Sequence, residues 1–314
     1  MRDWKIRGNW LEYTVGEQEA GLDVETLLKG RLSVSGRMLQ RLTRRKGIFL
    51  NRKQPFLKRK VKLGDEVKVL IGDRAEASLP PAKMDLSILF EDDAVLVLNK
   101  PAGIAVHPVH PGQHHTLANG IAHYWHEKGI KGAVRPLHRL DKNTSGAILF
   151  AGNSFIHQLL DKQLREHSIQ RVYYALISGM IGQTGETGTF NSPIGREKGH
   201  PVRRCIREDG DPAVTHYRVV ECFPSSELAG KGGATLVEIQ LETGRTHQIR
   251  VHFSSNGYPL IGDALYGGLA LPAFTRQALH AASLMFCHPV TGEEVECRAP
   301  LPSDLEELIH KLRS

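Results

Sequence analysis

The sequence predicts an α+β chain in two parts. A small basic α/β domain at the N-terminus precedes a larger domain built on a mixed, mainly antiparallel sheet. Three observations predict this. The 314 residues are 40% hydrophobic and 24% charged, the balance of a globular chain long enough to bury a sizeable core. Positive charge is gathered in one short stretch. The strand-like runs beyond residue 85 do not alternate with helical ones, so a doubly wound parallel sheet is not supported.

The charge asymmetry is sharp. Thirteen Lys and Arg lie between Lys29 and Lys62, with no Asp or Glu among them. Removing those thirteen from the chain's 41 basic residues leaves 28 against 34 acidic ones, so the rest of the chain carries −6 although the whole carries +7. Clustered Lys and Arg release counterions from phosphates, which points to nucleic acid. A solvated basic face and an acidic-membrane binder are the other readings of such a cluster.

Taken in order, residues 1–16 read as an N-terminal extension with a small strand around Trp10 to Val15. Residues 17–73 read as the basic domain. Gly21 to Leu32 looks helical, and Ser35 is placed to cap a second helix, Gly36 to Lys46, closed by Gly47. On that helix Met38, Leu39 and Leu42 share one face, while Arg37, Arg41, Arg44 and Arg45 form a row on another. Ile48 to Asn51 and Val67 to Ile71 read as short strands. Residues 74–84 form a linker, kept extended by two prolines. Residues 85–314 make the larger domain. Its strands are expected at Ile88–Phe90, Val95–Leu98, Ala147–Ala151, Val172–Ser178, Val214–Val220 and Thr235–Glu242. Ser303-Asp304-Leu305-Glu306 reads as a capping box that opens a C-terminal helix.

Several function classes lack their signatures. No phosphate-cradling glycine loop opens a helix, and no H-E-x-x-H or G-x-S-x-G occurs, so no cofactor is expected. No apolar run reaches 18 residues, and the first five residues lack a signal peptide's apolar core, so no membrane contact is expected. The four cysteines form no C-x-x-C pair, and a cytoplasmic location follows as the default. His107, His110, His114, His115, His123 and His126 crowd together, but no carboxylate or Cys completes a ligand spacing, so no metal is expected.

Three clusters carry chemistry. His138-Arg139-Leu140-Asp141-Lys142-Asn143-Thr144-Ser145-Gly146 puts one carboxylate between two basic side chains where a loop enters a strand. By itself it reads equally as a salt-bridged turn or a catalytic Asp. Glu242-Thr243-Gly244-Arg245-Thr246-His247-Gln248-Ile249-Arg250-Val251-His252 offers Arg245 and Arg250, which never lose their charge and so can hold a carboxylate ionised or contact phosphate. Thr246 could cap the helix that follows. Tyr173 and Tyr174 alternate on a strand and face opposite sides, so one can be core and the other can face a cleft.

In this order the clusters resemble the RluA/RluD family of pseudouridine synthases. Asn99-Lys100-Pro101-Ala102-Gly103, Val106-His107-Pro108, Gly262-Asp263-Ala264-Leu265-Tyr266-Gly267 and Leu279-His280-Ala281 extend the likeness over about residues 85–300. The basic segment resembles the S-four (alpha-L) RNA-binding domain, with its usual glycine after Asn51 replaced by Arg52. Arg171 stands where the family often has Lys. The resemblance implies a pseudouridine synthase fold and the roles that follow. Asp141 corresponds to the essential aspartate, Tyr173 to the active-site tyrosine, and Arg250 to the arginine paired with the aspartate. Arg139 corresponds to the arginine that fills the stack when uridine is extruded. It also implies an RNA partner, ribosomal RNA of the large subunit ahead of tRNA. A monomer is the default expectation, with no residue bearing on it. Arg37, Arg41, Arg44, Arg45 and Arg245 are expected to touch RNA. Three competing functions are an assembly factor on the same scaffold, a glycosidic hydrolase and a metal-dependent nuclease, which would need chelator-sensitive strand cleavage. The hydrolase usually brings two carboxylates, and no second candidate is found near the motifs.

Overall fold

The computed structural model describes residues 4–72, 79–110, 112–224 and 232–314. Residues 74–78 of the expected linker lie outside these. The first unit is a four-stranded sheet with two short helices. Its elements are β1 (Lys5–Arg7), β2 (Trp10–Thr14), α1 (Val24–Lys29), α2 (Gly36–Arg44), β3 (Ile48–Leu50) and β4 (Glu66–Leu70), with strand order β1-β2-β4-β3. Strand β2 pairs with β4 along its whole length, from Trp10 opposite Leu70 to Thr14 opposite Glu66. The described part of the expected extension, residues 4–16, therefore belongs to this unit, because its strands form half of the sheet. Too few alternating residues precede Trp10 to give a strand signal.

Local chemistry explains the helix ends. Asp23 caps α1 by accepting the Thr26 N–H, so this helix is shorter than the expected Gly21–Leu32. Ser35 caps α2 as expected, accepting the Met38 N–H. The helix closes by a Schellman arrangement: Gly47 N–H bonds Leu42 O and Lys46 N–H bonds Thr43 O. The left-handed residue is thus Lys46 (φ 54°), not Gly47. The connection after β3 keeps a two-residue turn without glycine, since Asn51 (φ 50°) and Arg52 (φ 64°) are both left-handed and Leu50 bridges Lys53.

The large unit is a ten-stranded sheet. Its first half runs β5 (Ile88–Glu91), β6 (Val95–Lys100), α3 (Leu117–Glu127), β7 (Arg135–Pro136), β8 (Ser145–Ala151), α4 (Ser154–Arg165) and β9 (Gln170–Ser178). There follow β10 (Thr187–Asn191), the hairpin β11 (Ile194–Arg196) and β12 (Arg204–Ile206), β13 (Val214–Phe223), β14 (Ala234–Leu241) and α5 (Gln248–Ser255). The chain ends with β15 (Leu279–Cys287), β16 (Glu294–Arg298) and α6 (Ser303–Arg313). The main order is β10-β13-β14-β9-β15-β8-β6-β5; β16 pairs with β15 and β7 with β8. The β15–β8 pair is parallel and the other pairs are antiparallel, so the sheet is mixed and mainly antiparallel as expected. At that parallel junction a Cβ on Gly146 (φ 113°) would collide with the Ala281 backbone, so glycine is required there.

Period-two alternation builds the core. From β6 and β8, Val95, Val97, Ala147, Leu149 and Ala151 face α4, while Leu96, Leu98, Ile148 and Phe150 face α3. The first of these clusters continues without a break into the small unit. Trp4 meets Phe155 edge to face at 5.9 Å, and the Ser35 N–H bonds Gln158 Oε1 at 3.1 Å. The two units therefore share one core across α4. Among the described residues no helix is long and apolar enough to cross a membrane.

Two expected caps do not form. Helix α6 starts one residue earlier, at N-cap Pro302, and the Asp304 carboxylate is held by Arg276 at 2.6 and 2.8 Å. Thr246 does not cap α5. His247 occupies that N-cap in a left-handed conformation, and Gln248 Oε1 takes the Arg245 N–H instead.

Candidate active site

Residues 138–144 form the loop between β7 and β8, and α5 brings Arg250 against it. Arg250 Nη1 donates to Asp141 Oδ2 at 2.8 Å. Its other two nitrogens form a fork onto Asp263, Nε to Oδ2 at 2.7 Å and Nη2 to Oδ1 at 2.8 Å. Burial opposes the guanidinium charge, but the two carboxylates outweigh it and hold its pKa above the ordinary value. Arg250 and Asp263 are buried, whereas the Asp141 side chain is 25% exposed. One carboxylate thus faces solvent while its partner anchors the arginine from behind. Asp141 Oδ1 faces His247 Nε2 at 3.8 Å and otherwise opens to the cleft.

The cleft encloses about 1120 Å³ and is lined by Arg139, Asp141, Tyr173, Arg196, Arg204 and His247 among others. That volume accommodates a nucleotide withdrawn from its stack. Tyr173 sits on β9 opposite Ile239 and Ala281 and is 5% exposed. Burial raises its pKa, Arg171 lowers it and Asp141 raises it, so the hydroxyl keeps its proton. Tyr174 points the other way, its hydroxyl toward Glu238.

The loop is pinned by donors that take its carbonyls. Lys100 is fully buried at the end of β6. Its ammonium donates to Pro101 O, Ile104 O and Lys142 O at 2.9, 2.9 and 3.0 Å. Burial pulls its pKa to about 7, with Asp141 pulling the other way. Arg276 Nη1 reaches Asn143 O at 3.3 Å, and Gln277 Nε2 reaches Thr144 Oγ1 at 3.1 Å. Gly244 leaves room for Arg171, since a Cβ there would lie 2.9 Å from Arg171 Nη1.

Among the expected RNA contacts, Arg139, Arg37, Arg44 and Arg45 are exposed. Arg41 is half-buried and donates to Ser154 Oγ on α4 at 2.7 Å. It tethers the two units, so the arginine row is interrupted. Arg245 is exposed at the cleft, with its Nε donating to Pro212 O. Sequence reasoning missed Asp263 and Lys100 as site members. Both lay in quoted strings, and the signal for Lys100 was a charge closing an otherwise apolar strand. Among the described residues no group of three His, Cys, Asp or Glu is arranged to hold a metal ion.

His138 adds a pH dependence. It is buried, its Nδ1 has no partner, and burial followed by Arg171 depresses its pKa to about 3. Between about 3 and 6.5 the unfolded chain binds the extra proton, so stability falls as pH drops through that window. The slope approaches about 1.4 kcal/mol per pH unit from this group. Urea melts at pH 7 and pH 4.5 should therefore differ by about 2–3 kcal/mol more in the wild type than in His138→Gln. Equal differences would show that His138 is not the titrating group.

Residues 94–255 match the family described as RNA pseudouridylate synthase. The chain is 41% identical over 302 residues to the Bacillus subtilis RNA pseudouridine synthase YhcT, covering 96% of this chain and 97% of that protein. It is 35% identical over 316 residues to ribosomal large subunit pseudouridine synthase D of Nitrosomonas europaea, covering 98% and 89%. Among solved structures it resembles human RNA pseudouridylate synthase domain containing 1, with TM-score 0.57 and 29% identity over 75% of this chain and 97% of that one.

Proposed function

The chain belongs to the RNA pseudouridylate synthase family, whose members isomerise uridine to pseudouridine in RNA, and on that premise we propose that its targets lie in large-subunit ribosomal RNA and that Asp141 carries the chemistry. The observation that carries the site assignment is the Asp141–Arg250–Asp263 chain on the cleft floor. Arg250 occupies one oxygen of Asp141 and leaves the other toward the cleft. That oxygen acts on the sugar, as nucleophile at C1′ or as base at C2′. The N1–C1′ bond breaks, the uracil turns within the cleft, and C5 bonds C1′ as the Asp141–C1′ bond breaks or the C2′ proton is returned; N1 then takes up a proton and the C5 proton is lost. Tyr173 packs against the base and assists that last proton transfer, directly or by placing the group that does. Arg139, exposed at the cleft rim, takes the place of the extruded base and offsets part of the unstacking cost.

The names of relatives support the ribosomal substrate, as does the small basic unit. We assign residues 4–72 to an S-four-like RNA-binding domain that positions the enzyme through phosphates. The enzyme works in the cytoplasm as a monomer. Removing residues 1–73 would strip the shared core from α4, so the informative change is Arg37→Ala with Arg44→Ala and Arg45→Ala. Each lost phosphate contact should flatten the plot of log affinity against log salt by about 0.7–0.9, roughly 2–3 in total. An unchanged slope would mean this face does not meet RNA.

The substrate is tested with transcripts carrying uridine tritiated at C5. Release from large-subunit ribosomal RNA and not from tRNA is expected. Release from tRNA alone would overturn the substrate assignment. Release from neither, nor from partly assembled subunits, would favour an assembly factor.

A further inference from the structure

We propose that His247 is a positioning residue for Asp141, and that Tyr266 locks its ring in the tautomer whose Nε2–H is aimed at the carboxylate oxygen left free by Arg250. The proposal rests on the reading that Asp141 acts on the sugar.

The tautomer follows from the hydrogen-bond chain. The backbone N–H of Arg204, on β12, donates to Tyr266 Oη at 2.9 Å. The Tyr266 hydroxyl still has its own hydrogen to give, and among the described residues the acceptor it meets is His247 Nδ1, 2.9 Å away. Nδ1 is then the acceptor, and a neutral imidazole must carry its hydrogen on Nε2. Burial lowers the His247 pKa against the pull of Asp141, which agrees with a neutral ring. Burial likewise raises the Tyr266 pKa, so its hydroxyl keeps the hydrogen it donates.

The ring is held in place as well as in tautomer. His247 adopts a left-handed backbone (φ 59°) as the residue that starts α5. Its ring meets Tyr266 edge to face, centroids 5.7 Å apart at 83°. Tyr266 is itself fixed, 5% exposed, with the Arg250 guanidinium 5.0 Å and that of Arg203 5.6 Å from its ring centre. Nε2 stands 3.8 Å from Asp141 Oδ1, beyond hydrogen-bond length. Such contacts tighten when substrate fills the site. With Arg250 on Oδ2 and His247 closing on Oδ1 as substrate binds, the carboxylate is held in one orientation and the reactive oxygen keeps one direction. Because Arg204 belongs to the hairpin that rims the cleft, the RNA-facing hairpin and the carboxylate are joined through three residues.

Four single variants test this: His247→Gln, His247→Asn, His247→Leu and Tyr266→Phe. RNA affinity and the single-turnover rate at saturating RNA are measured for each. Gln can place an amide N–H where Nε2 stands; Asn, though it favours the left-handed backbone, cannot reach. A hydrogen bond to a charged group sets the expected loss for Leu and Asn at about 10–100-fold in rate, with Kd within about twofold. Gln should recover most of the rate, and Tyr266→Phe should lose about 10-fold. Nitrogen-15 spectra, with the His247 signals identified from their loss in the Gln variant, should show a bare Nδ1 and a protonated Nε2. In Tyr266→Phe the two should mix. A hydrogen on Nδ1 in the wild type, a Gln variant no faster than Leu, or losses confined to Kd would overturn the proposal. If Asp141→Ala is inactive while His247→Leu is fully active, the positioning role alone falls. If Asp141→Ala is active, the reading beneath it falls.

Discussion

Asp141→Ala is expected to lower the single-turnover rate of pseudouridine formation by at least about 10,000-fold, the scale on which removal of an essential catalytic carboxylate or nucleophile registers. Among the described residues the Asp141 carboxylate is the one anionic group bonded to Arg250 that also opens to the cleft, and Asp263 is buried beneath the arginine. Asp263 cannot therefore take over. RNA affinity should change little, because phosphate contacts elsewhere supply most of it. The check is tritium release under single turnover beside filter binding with the same RNA. Residual rate above about 1% of wild type would mean that another group acts on the sugar.

Arg250→Met is expected to destabilise the fold as well as stop the reaction. The guanidinium is the shared cation of two carboxylates, and the Asp263 side chain is 1% exposed. Removing the cation leaves a buried charge uncompensated, which costs about 3–5 kcal/mol. For a chain of this size the Tm should fall by roughly 5–8 °C. Adding Asp263→Leu should restore much of the stability, since the stranded carboxylate is then gone, but none of the activity. Calorimetry and tritium release together separate the two effects. A single variant that melts within 2–3 °C of wild type would show that the Asp263 fork carries little of the stability.

The parts of the fold that local chemistry dictates were legible in the sequence. Ser35 announced α2, and the apolar run Ala147–Ala151 announced β8, because a hydroxyl before a periodic helix and an apolar stretch after a turn are short-range signals. Strands β1 and β2 were not legible as part of the sheet, since β1 is three residues long and pairs only with β2, while the pairing of β2 with β4 spans more than fifty residues and leaves no local mark. The caps expected at Thr246 and Ser303 did not form: Gln248 reaches back locally to the Arg245 N–H, and Arg276 draws off the Asp304 carboxylate from across the fold.

The site divides in the same way. Asp141 and Arg250, 109 residues apart, were paired through the family resemblance, and no spacing rule would have joined them. Asp263 and Lys100 stood in quoted strings without a role, because a carboxylate anchoring an arginine and an ammonium gathering three carbonyls are visible only once the chain is folded. The arginine row on α2 was read from helical spacing alone. Spacing could not reveal that Arg41 faces Ser154 on a neighbouring unit while Arg37, Arg44 and Arg45 face solvent.

The central claim is that this cleft isomerises uridine through Asp141 and does not merely cut its glycosidic bond. Large-subunit ribosomal RNA incubated with wild-type protein or with Asp141→Ala, then digested to nucleosides and separated chromatographically, tests it most directly. Pseudouridine is expected from the wild type and none from the variant, with no free uracil from either. Free uracil with wild type, or pseudouridine with Asp141→Ala, would contradict it.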